Sequence, residues 1–150
     1  MSFPSFPSLR VLAAALLCGA CCVAQAAEVN VQPRTVGKGA TMVFQPALVK
    51  LAKGDTLHLE AAAEGRASYS SIHVPQGATA LSGKASEEQR IVLSHEGVYL
   101  LQGDPDKAPG MVLVVQVGAA GADLAAAQLA AAQAAPASQT RFKNLLGGVK

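Results

Sequence analysis

Tyr99-Leu-Leu-Gln-Gly-Asp-Pro-Asp-Lys-Ala-Pro-Gly-Met111, continued by Val112-Leu-Val-Val-Gln-Val117, carries the clearest structural signal in this chain. Val98 to Gln102 reads as a strand. Asp104-Pro-Asp-Lys is a turn, with Pro105 setting φ at its second position. Met111 to Val117 is the strongest strand of all, almost wholly apolar.

Upstream of this stretch the pattern is also β. Glu28-Val-Asn-Val-Gln alternates apolar and polar residues, as a half-buried strand does. Val36-Gly-Lys-Gly-Ala predicts a flexible connection. Met42 to Leu51 predicts two strands or one bent strand, with Pro46 at an edge or bulge. Lys53-Gly-Asp-Thr is a turn. From Thr56 to Ala61 the alternation puts Leu57 and Leu59 on one face and His58 on the other, towards solvent. Arg66 to Ser86, rich in Ser and Gly, predicts long loops with little regular structure. Arg90 to Ser94 is a strand and His95-Glu-Gly a turn. Several short strands with turns between them indicate a sandwich or a barrel.

After Gly118 the composition changes. Asp123-Leu-Ala-Ala-Ala-Gln-Leu-Ala-Ala-Ala-Gln-Ala-Ala is a helix by propensity, with Asp123 near its start. Pro136 ends it. Ser138 to Leu146 predicts a second helix, closed by Gly147-Gly148, whose Phe142, Leu145 and Leu146 would pack on the sheet.

The chain has 150 residues and a formal net charge of +2. Arg10 precedes an apolar run from Val11 to Val23, and Ala24-Gln25-Ala26 supplies a small-x-small cleavage pattern. That is the form of a secretory signal peptide over residues 1–26. The run is shorter than the ~20 residues that span a bilayer. All three cysteines, Cys18, Cys21 and Cys22, fall inside it. A lipid-modified variant would start at Cys21, but Cys18-Gly19-Ala20 lacks the Leu usual upstream of such a site. The exported chain therefore has no disulfide, no thiolate ligand and no Cys nucleophile. No basic cluster interleaves with aromatics, so nucleic acid is not an expected partner. The expected organisation is a signal peptide at 1–26, a β-sandwich at 27–118 and a helical extension at 119–150.

Taken in order, Met42-Val-Phe-Gln-Pro-Ala-Leu-Val-Lys, Lys53-Gly-Asp-Thr, Pro75-Gln-Gly-Ala, Gly97-Val-Tyr-Leu and Pro109-Gly-Met-Val resemble the pseudoazurins. These are blue-copper electron-transfer proteins of the cupredoxin fold. The similarity runs from about Val29 to Val117, and the two helices extend it. It implies an all-β, Greek-key β-sandwich with two C-terminal helices. It also implies a copper site made by a His after a Gly, a Cys closing the penultimate strand, a His three residues later and a Met five after that. Here the first His position falls at Arg66, the Cys position at Gly103, the second His position at Asp106 and the Met position at Met111. Only Met111 matches. A blue-copper centre needs two imidazoles and a thiolate with a weak axial thioether. The resemblance therefore implies a degenerate site, with no copper or other cofactor expected.

The remaining chemistry is sparse. Met111 opens a strand and suits a core; its alternative role is weak Cu(I) binding with Met42 or His73. His58, His73 and His95 show no ligand spacing, and His73 falls in the loop region near the site. Arg66 and Asp106 occupy the two imidazole positions and could form a bidentate pair joining their loops. Asp104 and Asp106 are explained by the turn rather than by catalysis, and nothing places a base beside Ser68, Ser70 or Ser71. Tyr99 is expected in the core, while Tyr69 is expected at the surface. Val74, Pro75, Ala108 and Pro109 could form an apolar docking patch. These readings converge on a periplasmic or secreted protein that is not an enzyme and that binds a protein partner or ligand. The alternative is an electron-transfer or copper-handling protein with a non-standard site. Neither oligomeric state nor partner is legible.

Overall fold

The computed structural model describes residues 26–36, 41–62 and 67–149. Among these described residues, nine strands and two helices follow in chain order: β1 Glu28–Val36, β2 Thr41–Gln45, β3 Leu48–Leu51, β4 Thr56–Leu59, β5 Ser68–His73, β6 Ser82–Lys84, β7 Gln89–Val92, β8 Gly97–Gly103, β9 Val112–Val117, α1 Asp123–Ala132 and α2 Pro136–Leu146. The signal-peptide expectation and the connection at residues 37–40 lie outside the described residues.

The strands form two sheets, ordered β2-β1-β4-β7 and β3-β9-β8-β5-β6. The β1–β4 and β3–β9 pairs are parallel, and the others antiparallel. Between the sheets lies the main core, with Val31, Phe44, Leu57, Leu59, Tyr99, Leu101, Met111, Leu113 and Val115 buried in it. Strand alternation sends the intervening residues of β8 and β9 the other way. Val98, Leu100, Val112 and Val114 meet Ala127, Ala131, Phe142 and Leu146 of the helices. The central strands are thus buried on both faces, which explains why β9 is an apolar run rather than an alternating one. The architecture is the expected cupredoxin-like sandwich with two C-terminal helices.

Two local expectations are corrected. The segment read as long loops contains β5 and β6. Ser-rich sequence has weak strand propensity, but here the β8 backbone supplies the pairing, with Tyr69 opposite Gly103 and Ser71 opposite Leu101. The second helix starts at Pro136 rather than Ser138. Proline suits the first helical turn, where its missing N–H costs nothing. Gln139 Nε2 then donates to the carbonyls of Ala132 and Ala134, covering the open end of α1.

Candidate functional site

The loop between β8 and β9 is built around a missing side chain. The Gly103 amide donates to the Met111 carbonyl at 2.7 Å. A Cβ placed on Gly103 would stand 2.7 Å from Met111 Cβ and 3.0 Å from Met111 Sδ. Met111 is itself 0% exposed. Its thioether fills the space that a side chain at 103 would need.

Local hydrogen bonds hold the rest of the loop. The Asp104 amide donates to Ser68 O at 2.8 Å, and Asp104 O accepts from the amides of Lys107 and Ala108. Asp104 Oδ1 accepts from the Asp106 amide at 2.9 Å, the side-chain turn that favours Asp at such positions. Asp106 is exposed, as its turn role predicts. Gly110 takes φ +77°, a left-handed conformation for which glycine is the default residue. Its carbonyl accepts from Arg141 Nη1 of α2 at 2.6 Å. Arg141 therefore ties the helical layer to this loop. Sequence reading missed it because the two residues are 31 positions apart and share no pattern.

Arg66 lies outside the described residues, so its pairing with Asp106 stays a sequence expectation. His73 is not beside the loop. It stands opposite Leu100, three residues along β8 from Gly103, which is about 10 Å of strand. Its Nε2 lies 3.1 Å from Asp123 Oδ1, and Asp123 Oδ2 accepts from the Val98 amide at 2.7 Å. The first residue of α1 thus joins that helix to β5 and β8. Asp123→Ala removes the acceptor for both groups and should cost about 1–3 kcal/mol, the usual penalty for stranding part-buried donors. Urea unfolding checks this; a midpoint equal to wild type would show the joint to be idle.

Other expected positions also move. Tyr69 is core, not surface: it is 3% exposed and its ring meets Phe44 edge-on at 5.6 Å. Strand pairing with Gly103 turns it inward. Its buried hydroxyl has no hydrogen-bond partner among the described residues, and burial, then Glu87, push its pKa up to about 12. Tyr99 is in the core as expected, its pKa raised by burial and by Asp123. His58 does sit on the face opposite Leu57 and Leu59, but it is only 7% exposed. Its Nε2 is 2.6 Å from Glu88 Oε1 and its Nδ1 2.9 Å from Asn30 Oδ1, with Arg90 bridging Glu28 and Glu88 above it. Long neighbouring side chains on a flat sheet face cover the ring.

The expected apolar patch is not one patch. β5 runs antiparallel to β8, so Val74 and Pro75 lie beyond its far end. Pro75 packs there against Gly97, where a Cβ would come within 2.7 Å of Pro75 Cγ. Ala108 and Pro109 lie at the opposite, Gly103 end of β8, and Ala108 is buried. Among the described residues, concavities lie elsewhere: a groove of about 460 Å³ between α1 and α2, and a cleft of about 210 Å³ where Val43 and Ala47 face Arg141 and Leu145.

No family model matches the chain. Individual proteins do. A protein of Rhizobium leguminosarum bv. viciae, named as a pseudoazurin, is 30% identical over 112 residues, 73% of this chain and 72% of that protein. The pseudoazurin of Methylorubrum extorquens is 35% identical over 97 residues, 63% of this chain and 65% of its own. The crystal structure of pseudoazurin from Methylobacterium extorquens superposes with a TM-score of 0.70 at 30% identity, covering 82% of this chain and 99% of that one. Native pseudoazurin from Hyphomicrobium denitrificans gives 0.66 at 27% identity, covering 83% and 99%.

This chain belongs to the pseudoazurin family. The copper centre that the family resemblance implies does not fit the residues present. This pseudoazurin-family chain has no Cys after Cys22. At Gly103, where the sequence resemblance places the thiolate, the side chain of Met111 takes the space a side chain would need. Among the described residues, no group of three or more His, Cys, Asp or Glu is placed to hold a metal ion. Among the same residues, no helix is long and apolar enough to cross a membrane.

Proposed function

We propose that this is an exported, copper-free member of the pseudoazurin family that works by binding a protein partner or ligand rather than by catalysis or electron transfer. The reading takes residues 1–26 as a signal peptide that directs the chain to the periplasm. It takes 27–118 as the sandwich and 119–150 as the helical extension. The observation that carries it is the Gly103–Met111 contact. Where the resemblance places a thiolate there is glycine, and Met111 beside it is fully buried in the core. A trigonal centre of two imidazoles and a thiolate has no donors to draw on here. The rest of the loop is held by Asp104, Gly110 and Arg141, so its shape needs no metal.

Copper titration tests this. Purified exported protein, dialysed against Cu(II) and separately against Cu(I) under reducing conditions, should bind no stoichiometric copper and show no intense visible band. A blue band would overturn the reading. Tight, colourless Cu(I) binding that Met111→Leu abolishes would replace it with a copper-handling role.

A further inference from the structure

Arg141 differs from Arg34 and Arg90. Arg90 lies between Glu28 and Glu88, and Arg34 donates to Gln32. Arg141 Nη1 donates to the Gly110 carbonyl at 2.6 Å, and among the described residues no carboxylate pairs with its guanidinium. From Leu124 to Lys150 the chain carries no Asp or Glu at all. The cation is nevertheless held in place. A Cβ on Gly110 would stand 3.2 Å from Arg141 Cζ and 3.3 Å from its Nε, so the guanidinium lies directly against backbone that glycine leaves open.

This fixed cation stands at the cleft of about 210 Å³ beside the β8–β9 loop. Val43, Ala47, Val112 and Leu145 supply apolar walls, and Asn144 adds a carboxamide. Positions 141, 144 and 145 share one face of α2, which brings guanidinium, carboxamide and Leu145 to the same opening. We propose that the cleft binds a small apolar carboxylate, with its hydrocarbon body between β2 and α2 and its carboxylate on Arg141. This names a ligand class for the binding reading above and rests on that reading. A guanidinium offers parallel N–H donors that match a carboxylate bidentately, and Gly110 takes only one of them. Holding the side chain in advance lowers the entropy lost on binding. The volume exceeds the ~150 Å³ that takes up benzene, so an acid with a single aromatic ring fits. Among the described residues lining the cleft, Arg141 is the only charged one; Lys143 lines the α1–α2 groove instead. One positive charge beside apolar walls favours an amphipathic monoanion over phosphate.

A chemical-shift titration of the exported protein with sodium benzoate tests the proposal. The amides of Val43, Ala47, Val112 and Asn144 should shift and saturate at roughly millimolar benzoate, the strength open to so small a ligand. Benzamide has the same shape without the charge and should bind at least ~10-fold more weakly, because the charge-assisted pair is lost. Arg141→Gln should weaken benzoate by a similar factor and leave benzamide unchanged, a pattern that mere loosening of the loop does not produce. Ala47→Phe fills the cleft while Arg141 keeps its hold on Gly110, and it should abolish benzoate binding. Circular dichroism confirms that each variant is folded. Absence of a saturable shift overturns the assignment. So does equal affinity for benzoate and benzamide, or acetate or inorganic phosphate binding as tightly as benzoate. Copper is read separately: a copper-free protein that ignores benzoate loses this inference alone, and one that binds both keeps the cleft and loses the copper-free reading.

Discussion

Gly103→Cys, which puts a thiol where the sequence resemblance places one, should destabilise the protein by about 2–3 kcal/mol and give no blue centre. The cost comes from overpacking. The new Cβ would sit 2.7 Å from Met111 Cβ, and Met111 has no solvent-facing route of retreat because it is 0% exposed. Forcing extra atoms into a packed core costs ~1–3 kcal/mol, and the sulfur would add to the Cβ clash. Met111→Ala should also destabilise, by about 2–5 kcal/mol, because it leaves a cavity in the inter-sheet core. Combined, the two changes should relieve one another: the double variant should be more stable than the sum predicts by about 1–3 kcal/mol. Urea unfolding of the four proteins measures this coupling. Strict additivity would show that Met111 does not occupy the vacated space.

Phe142→Ala should be among the most damaging single changes outside the main core, at about 3–5 kcal/mol. Phe142 is 0% exposed and lies in the second core with Val98, Leu100, Val112 and Val114. Those four residues line the outer face of the five-stranded sheet, and the helices are what cover them. Losing the ring would leave a cavity at the centre of that cover. Hydrogen exchange should then accelerate first in α1 and α2 and later in β8 and β9, since locally loosened units open below the global free energy. A cost under about 1 kcal/mol, with exchange in the helices unchanged, would mean that the helical layer is held chiefly by Asp123 and Arg141.

Much of this was readable in the chain. Alternation in Glu28 to Gln32 and Thr56 to Leu59 marked half-buried strands, because period-two burial writes itself directly into residue order. The almost wholly apolar run of Val112 to Val117, interrupted at Gln116, marked the strand covered on both faces. Pro136 marked the break between two helices through its own geometry. β5 stayed hidden because its Ser-rich sequence acquires strand structure from pairing with β8 rather than from its own propensity. Tyr69 and His58 were misplaced for a related reason. Burial depends on which neighbours fold over a residue, and Phe44 and Glu88 are 25 and 30 positions away.

The candidate site divides in the same way. Residue identity alone establishes that no thiolate follows Cys22 and points to a turn at Asp104 to Lys107, while the resemblance implies that Met111 alone keeps its ligand type. These are statements about what chemistry the chain owns, and no arrangement in space can alter them. Tertiary structure settled the rest: that Met111 fills the volume beside Gly103, that Arg141 grips the loop at Gly110, and that His73 is engaged by Asp123. Each of those depends on side-chain volume and distance between segments far apart in the chain. Local propensity carries no record of such distances, whereas strand register and helix docking fix them to within an ångström.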